Sequence, residues 1–340
     1  MIGRLLVMVV GTTALFAAIP AASQLNLYCS SPNTAWCQGM ANGFEKATGT
    51  RAAVVQKATG ETLAQVKAER ANPKGDIWWA GPGDAYLQAA EDGLLETYAS
   101  PNLNQLQDWA RRISEVSQNR VSGVYGGILA LGYNTELQQK KKLPIPKCWK
   151  DLLDPAYRNE VMLGNPNSSG TAYLMLASLV QIFGEDEAFR YMQALDANVS
   201  SYARSGIGPM NAVKRGEIAI GSSVLHGVIN EIAQGFPVKP VLPCEGVGYE
   251  VGSMAIIRGA RNVAAARKFV DWALTADAQK IGLDLNEYAI PTNRNVPLPG
   301  TVPDMADVKL IAYDFAKFGS SETRRRLLAR WEKEVNAARR

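Results

Sequence analysis

The stretch Gly164-Asn165-Pro166-Asn167-Ser168-Ser169-Gly170-Thr171-Ala172 follows a short apolar segment and precedes an apolar run over residues 174–180 that predicts a helix. Ser168 and Ser169 suit the helix start, because their hydroxyls can accept hydrogen bonds from free backbone N–H groups. Gly170 allows another group to approach the backbone closely. A helix start with unpaired N–H groups attracts an anion. The alternative interpretation is an ordinary capped helix.

Similar short polar segments, called polar openings below, recur along the chain. Each follows a predicted strand or precedes a predicted helix, and together they form a set of candidate oxyanion-binding residues. The candidates are Ser30, Ser31, Thr59, Gly60, Ser168, Ser169, Gly170, Thr171 and Ser205. Arg204 can add a charge-assisted hydrogen bond to the same ligand.

His226 and Glu245 follow the ends of predicted strands in the second half of the chain. Such groups suit the hydroxylated or cationic end of a ligand whose other end is anionic. The alternatives are a hydrogen-bonded structural role for His226 and a cap or pairing partner near Cys244 for Glu245.

The mature chain begins with alternating strands and helices joined by tight loops, which predicts βαβ units and a largely parallel sheet. Ligands bind beyond the carboxyl ends of the strands in such sheets, where the polar openings lie. Two long apolar strands, near residues 124–131 and 251–257, flank a self-contained α/β segment. We therefore predict a second lobe over residues 131–248 and a first lobe over residues 24–130 and 249–340.

Length and composition agree with two soluble domains. The chain has 340 residues, 47% of them hydrophobic and 20% charged. Its formal net charge of +4 is too small and too scattered to indicate nucleic-acid binding.

Residues 1–23 have the features of a cleaved secretory signal peptide. Arg4 provides the positive charge, an apolar region follows, and Ala21-Ala22-Ser23 supplies small residues for cleavage. An exported chain with four cysteines favours two disulfides, for which three pairings are possible, with free thiols as the alternative.

Catalytic and metal-binding motifs are absent from the sequence. His226 is the one histidine, and no Cys-x-x-Cys spacing occurs, which argues against common zinc sites. No phosphate-binding loop with a Gly-Lys-Ser/Thr end and no Gly-x-Ser-x-Gly motif is present. We therefore predict no enzyme activity and no cofactor, and a secreted phosphatase-like hydrolase using His226 is the remote alternative.

The residues described so far resemble the periplasmic solute-binding proteins of ABC importers, in the ferric-binding-protein-like group. The resemblance covers nearly the whole mature chain. It is clearest in Gly75-Asp76-Ile77-Trp78-Trp79, in residues 165–172, in Leu225-His226 and in Pro243-Cys244-Glu245-Gly246-Val247-Gly248-Tyr249-Glu250. The last two segments are most similar to the hexose-phosphate-binding branch.

This resemblance implies a two-lobed α/β fold of the type 2 periplasmic-binding class, with two crossing strands and a ligand cleft between the lobes. It also implies a periplasmic protein, expected to be a monomer, that closes on its ligand and signals to a membrane permease. Iron-binding relatives use adjacent tyrosines, and this sequence contains no Tyr-Tyr pair. Sugar-phosphate binders carry Asp directly after the histidine, where this chain has Gly227.

The expected ligand is a small anionic solute, either a sugar phosphate or another organophosphate or phosphonate. The same scaffold binding ferric iron or thiamine is the alternative. For the cysteines, we predict the pairs Cys29–Cys37 and Cys148–Cys244. Cys29 ends the first strand and Cys37 lies in the first turns of the next helix, so the two can meet across one loop.

Overall fold

The computed structural model describes residues 24–298, 300–303 and 305–337. The predicted signal peptide over residues 1–23 lies outside the described residues. None of the helices within the described ranges combines the length and apolar character needed to cross a membrane.

Strands and helices alternate along most of the chain. The strands are β1 (Leu25–Cys29), β2 (Ala52–Gln56), β3 (Ile77–Pro82), β4 (Ser122–Asn134), β5 (Val161–Gly164), β6 (Val199–Ala203), β7 (Ile220–Val224), β8 (Val238–Val241), β9 (Tyr249–Ile256) and β10 (Ile290–Pro291).

Thirteen α-helices lie within the described residues. They are α1 (Thr34–Thr48), α2 (Thr59–Ala68), α3 (Asp84–Glu91), α4 (Asp108–Val116), α5 (Thr135–Lys141), α6 (Gly170–Phe183), α7 (Glu185–Asp196), α8 (Gly208–Lys214), α9 (Leu225–Ala233), α10 (Val263–Ala273), α11 (Ala276–Asp284), α12 (Phe315–Phe318) and α13 (Ser321–Trp331). A π-helical turn, Glu332–Asn336, continues α13.

One mixed sheet runs through the molecule in the order β2-β1-β3-β9-β4-β7-β5-β6, with β8 and β10 also paired to β4. The outer strands pair in parallel: β1 with β2 and β3, and β5 with β6 and β7. The central pairs of β9 with β3 and β4, and of β4 with β7, are antiparallel. The expected parallel units therefore form the two ends of the sheet, and antiparallel strands join them.

Strand β4 changes partners along its length. Its first half pairs with β9 and β10, and its second half, from Leu129 onward, pairs with β7 and β8. All of its residues are buried, which explains the continuous apolar and glycine-rich sequence. This arrangement agrees with the two-lobed type 2 periplasmic-binding fold expected from the sequence.

Both predicted disulfides are present. Cys29 at the end of β1 is bonded to Cys37 in the first turns of α1, and Cys148 is bonded to Cys244. The second bond joins cysteines 96 residues apart. Closing so long a loop restricts the unfolded chain more than the eight-residue separation of the first bond does.

The C-terminal segment packs against both halves of the molecule. Helix α13 contacts α3, and the π-helical turn after it contacts α7. Leu327, Trp331 and Val335 form the buried apolar stripe of this segment. Helix α4 and strand β6 lie where no element was predicted from the sequence, although α4 buries Ala110 and Ile113 on one face.

Candidate functional site

A cavity of about 820 Å³ lies between the two halves of the sheet. Its wall contains the starts of α2, α6 and α9, the loop before α8, and residues of β4 and β9. Nine of the predicted site residues line it: Ser30, Ser31, Thr59, Ser169, Gly170, Thr171, Arg204, Ser205 and His226.

The stretch that precedes α6 forms a capped helix start in the cavity wall. Ser169 is the N-cap, and its Oγ accepts a hydrogen bond from the Ala172 N–H at 3.2 Å. Its carbonyl accepts the Tyr173 N–H at 3.1 Å. Within the described part of the chain, the N–H groups of Gly170 and Thr171 have no acceptor. They are the unpaired donors that an anion could accept from.

The openings of α2, α6 and α8 come together at this point. A methyl group added at Gly170 would lie 3.1 Å from the Thr59 Cβ, and one added at Gly206 would lie 2.7 Å from the Thr171 Oγ1. The hydroxyls of Thr59, Thr171 and Ser205 make no hydrogen bond to any described residue. Small residues thus bring three free hydroxyls and free backbone donors from both halves of the molecule together.

The hydroxyls of Ser30 and Ser31 both make hydrogen bonds within the protein. Ser30 accepts a hydrogen bond from the Trp78 indole at 2.8 Å and shares another with the Thr62 hydroxyl at 3.1 Å. The Ser31 hydroxyl accepts from the Asn33 N–H at 3.1 Å. The Ser30 hydroxyl is therefore occupied within the protein, whereas the Ser31 hydroxyl only accepts and keeps its O–H available to a ligand.

Gly60 and Ser168, which were also predicted as ligand-binding residues, do not line the cavity. The Gly60 N–H donates to the Ser168 carbonyl at 3.0 Å, and the Ser168 hydroxyl donates to the Arg204 carbonyl at 2.6 Å. The two residues therefore join the start of α2 to the loop before α6. Arg204 reaches the same edge, where its guanidinium pairs with Glu61 and its side chain is 83% exposed.

Glu245, which was predicted as a ligand-binding residue, does not line the cavity, so its position does not support that role. Its carboxylate accepts hydrogen bonds from the Trp149 N–H at 2.7 Å and the Lys150 N–H at 3.1 Å. It therefore caps the short helix Trp149–Leu153, which was the alternative weighed from the sequence. Its neighbours Cys148 and Cys244 are disulfide-bonded, so their sulfurs are not available as metal ligands.

The part of the cavity around His226 contains a second buried polar group, Glu287. The Glu287 carboxylate lies 3.7 Å from the His226 Nε2. It accepts from the Asn33 side chain at 2.9 Å and from the Asn230 side chain at 3.0 Å. Burial lowers the pKa of His226, and Glu287 opposes this effect only in part. The imidazole is therefore neutral at pH 7.

Glu250 on β9 is an acidic residue of the cavity wall that the sequence prediction missed. It lines the cavity, is 2% exposed, and its Oε2 has no partner among the described residues. Burial raises the pKa of Glu250 to about 8, and Asp84 and Glu287 add to the rise while Tyr125 opposes it. The carboxyl group is therefore mostly protonated at pH 7. It occurs in the segment 243–250 that carried the family resemblance, whereas no local pattern marks Glu287.

A charged pair completes the wall near α8 and α9. The Lys214 ammonium donates to both carboxylate oxygens of Glu231, at 3.0 and 2.9 Å. Glu231 is buried, so the pair holds the two charges in a fixed arrangement beside the cavity. Neither residue was singled out from the sequence.

Comparison with known proteins identifies the class. Residues 72–317 match the family described as bacterial extracellular solute-binding protein, and the chain belongs to that family. The structure of the periplasmic binding protein AfuA from Actinobacillus pleuropneumoniae, with exogenous fructose-6-phosphate bound, superposes with a TM-score of 0.90. That alignment has 39% identity and covers 92% of this chain and 98% of AfuA. The resemblance to periplasmic solute-binding proteins is confirmed.

Two protein relatives extend this comparison. An uncharacterized protein of Haemophilus influenzae is 40% identical over 96% of this chain and 97% of its own length. A Salmonella typhimurium protein named "Putative 2-aminoethylphosphonate-binding periplasmic protein" is 25% identical over 78% of this chain and 76% of its own length.

Proposed function

We propose that the chain is the periplasmic binding component of an ABC importer for a small organic phosphate or phosphonate, such as a sugar phosphate. It captures the solute between its lobes and delivers it to the inner-membrane permease as a monomer. Residues 1–23 direct export in this proposal. The membership of a binding-protein family favours capture over catalysis.

The convergence of Thr59, Thr171 and Ser205 with the free N–H groups at the start of α6 carries this proposal. Neutral donors suffice for a phosphate, because backbone N–H groups and helix dipoles supply the positive potential. The described fructose-6-phosphate complex of AfuA and the name of the Salmonella relative agree with an oxyanion on the ligand. His226, Glu250 and Glu287 then face the organic remainder.

Lobe closure is the mechanism of capture in this proposal. The lobes comprise residues 24–130 with 249–340, and residues 131–248. The exchange of partners along β4 supports this division, because Ile128 pairs with β9 and Leu129 with β7. The Gly60–Ser168 hydrogen bond and the Arg204–Glu61 ion pair would form on closure, since each joins one proposed lobe to the other.

A Thr59→Val/Thr171→Val double variant tests the oxyanion site. Valine keeps the shape of threonine but cannot donate a hydrogen bond, so affinity for phosphorylated compounds is expected to fall by about tenfold or more. Isothermal titration calorimetry with hits from a thermal-shift panel measures this change. Thr323→Val, on α13 and away from the cavity, is the matched control and should bind like the unmodified protein.

The same panel decides between the proposal and its alternatives. It contains sugar phosphates, aminoalkyl phosphonates, inorganic phosphate, thiamine, thiamine phosphates and ferric citrate. Tight binding of ferric ion or unphosphorylated thiamine, with no response to any phosphorylated compound, would contradict the proposal. Steady turnover of a generic phosphate ester would instead support the hydrolase alternative.

Removing the charge of Arg204 is expected to have a small effect. The guanidinium lies at the exposed edge of the cavity and is already paired with Glu61. Exposed ion pairs contribute about 1 kcal/mol or less, so Arg204→Gln should weaken ligand binding by only about threefold. Calorimetry at low and high salt measures this. A loss of about a hundredfold would instead indicate direct contact between Arg204 and the ligand.

A further inference from the structure

Some charged side chains of the cavity wall are paired with a group of opposite charge, and others are not. Arg204 is paired with Glu61, and Lys214 is paired with Glu231. These two pairs leave little net charge for a ligand to meet. The charged side chains of the wall that lie outside these two pairs include both positive and negative groups, and they come from different segments of the chain.

Glu287 is a buried acid without a cationic partner of fixed charge. Its side chain is 4% exposed, and the described groups that donate to it are the neutral amides of Asn33 and Asn230. The nearby His226 is neutral for the reason given above. A buried carboxylate costs free energy unless a cation or several hydrogen bonds compensate its charge. The two hydrogen bonds from these side-chain amides compensate only part of that free-energy cost.

Aromatic rings lie beside this acid. Trp36 lines the cavity, and its ring centroid lies 5.3 Å from that of Tyr125. The Tyr125 ring lies in turn 5.8 Å from that of His226. Aromatic faces attract cations as well as apolar groups. The Glu250 carboxyl, whose Oε2 has no partner among the described residues, lies at the same end of the cavity, because a methyl group added at Gly127 would be 2.9 Å from its Oε1 and 3.0 Å from the His226 Cε1.

A positive charge, opposite in sign to that of Glu287, lies near the oxyanion donors. Lys57 lines the cavity two residues before Thr59 and is exposed. No acid among the described residues lies within ion-pair distance of it. The cavity therefore has a positive group beside the start of α2 and an uncompensated negative group beside His226.

We propose that the ligand is zwitterionic, with a protonated amine or similar cation on its organic part that pairs with Glu287. This inference rests on the proposed function and restricts it to amino-organophosphates or aminophosphonates. A cation placed beside Glu287 would gain a Coulombic attraction to the carboxylate, in addition to a hydrogen bond, and a neutral hydroxyl group lacks that attraction. A second anionic group, such as a carboxylate, would meet Glu287 with repulsion.

Pairs of ligands that differ in one group test this inference on the unmodified protein. We would measure the affinity of 2-aminoethyl phosphate against 2-hydroxyethyl phosphate, and of glucosamine 6-phosphate against glucose 6-phosphate. Inorganic phosphate serves as the probe for the oxyanion site alone. The amine is expected to bind about tenfold or more tightly than its hydroxyl analogue in at least one pair. Equal or tighter binding of both hydroxyl analogues would overturn the inference and leave the proposed function intact.

The variant Glu287→Gln assigns the preference to this residue. It should reduce the advantage of the amine over the hydroxyl analogue to about twofold or less, while the affinity for inorganic phosphate, which reports on the oxyanion site alone, changes little. Glu322→Gln, exposed on α13, should keep the full advantage. A preference that persists in Glu287→Gln would contradict the pairing. Failure of every phosphorylated compound, including inorganic phosphate, to bind the unmodified protein would overturn the proposed function and the inference with it.

Discussion

Because of Glu250, the free energy of unfolding is expected to fall by about 3 kcal/mol between pH 5 and pH 8. Replacing Glu250 with glutamine should abolish this fall. Burial raises the pKa of this carboxyl from 4.5 to about 8. Between these two pKa values the folded protein holds a proton that the unfolded chain has lost. The free energy of unfolding therefore falls as the pH rises through this window. Glutamine does not titrate, so the variant lacks this contribution.

Urea denaturation of both proteins at several pH values measures the effect. The difference between them isolates Glu250, because both retain Asp84 and His226, which also titrate. His226 acts in the opposite direction, since its lowered pKa removes stability as the pH falls below its unfolded value of 6.5. Glu115→Gln, exposed on α4, is the control and should follow the unmodified protein. A pH-independent difference between the Glu250 variant and the unmodified protein would contradict the prediction.

Replacing Arg324 with methionine is expected to lower the free energy of unfolding by about 3–5 kcal/mol. Arg324 is 1% exposed, and its guanidinium lies 4.0 Å from the centre of the Tyr173 ring. Arg324 interacts electrostatically with Asp84, whose pKa burial raises to about 6 while the arginine opposes the rise. The Asp84 carboxylate accepts from the Tyr313 hydroxyl at 3.0 Å. Removing the cation leaves this buried acid uncompensated.

A double-mutant cycle separates the charge effect from lost packing. Asp84→Asn removes the acid, so the double variant Asp84→Asn/Arg324→Met is expected to recover about 2 kcal/mol of the loss. Urea denaturation at pH 7 compares the four proteins. Arg325→Met, with a side chain that is 62% exposed, is the control and should change stability by about 0.5 kcal/mol or less. Additive losses from the two single variants would show that the two residues are not coupled.

Local sequence determined most of the elements that present the candidate site. Ser169 caps α6 as its hydroxyl predicted, and Gly49 ends α1 in a left-handed conformation. The alternation of strands and helices also predicted the parallel ends of the sheet. The reason is that capping and apolar periodicity depend on residues close together in the chain. The position of Cys37 one loop after Cys29 was similarly informative, and that disulfide was predicted correctly.

Only the tertiary structure decided which polar residues face the cavity. Glu245 and Glu250 are five residues apart, yet the first caps a short helix and the second lies in the cavity wall. Gly60 and Thr59 are adjacent in sequence. Gly60 joins the start of α2 to the loop before α6, whereas Thr59 presents a free hydroxyl to the cavity. Glu287 meets Asn33 across 254 residues of sequence, and no local pattern encodes that contact. Side-chain direction and partner choice depend on packing between distant segments. Local sequence therefore determined the helices and strands that carry the site, whereas the tertiary structure determined which side chains face the cavity.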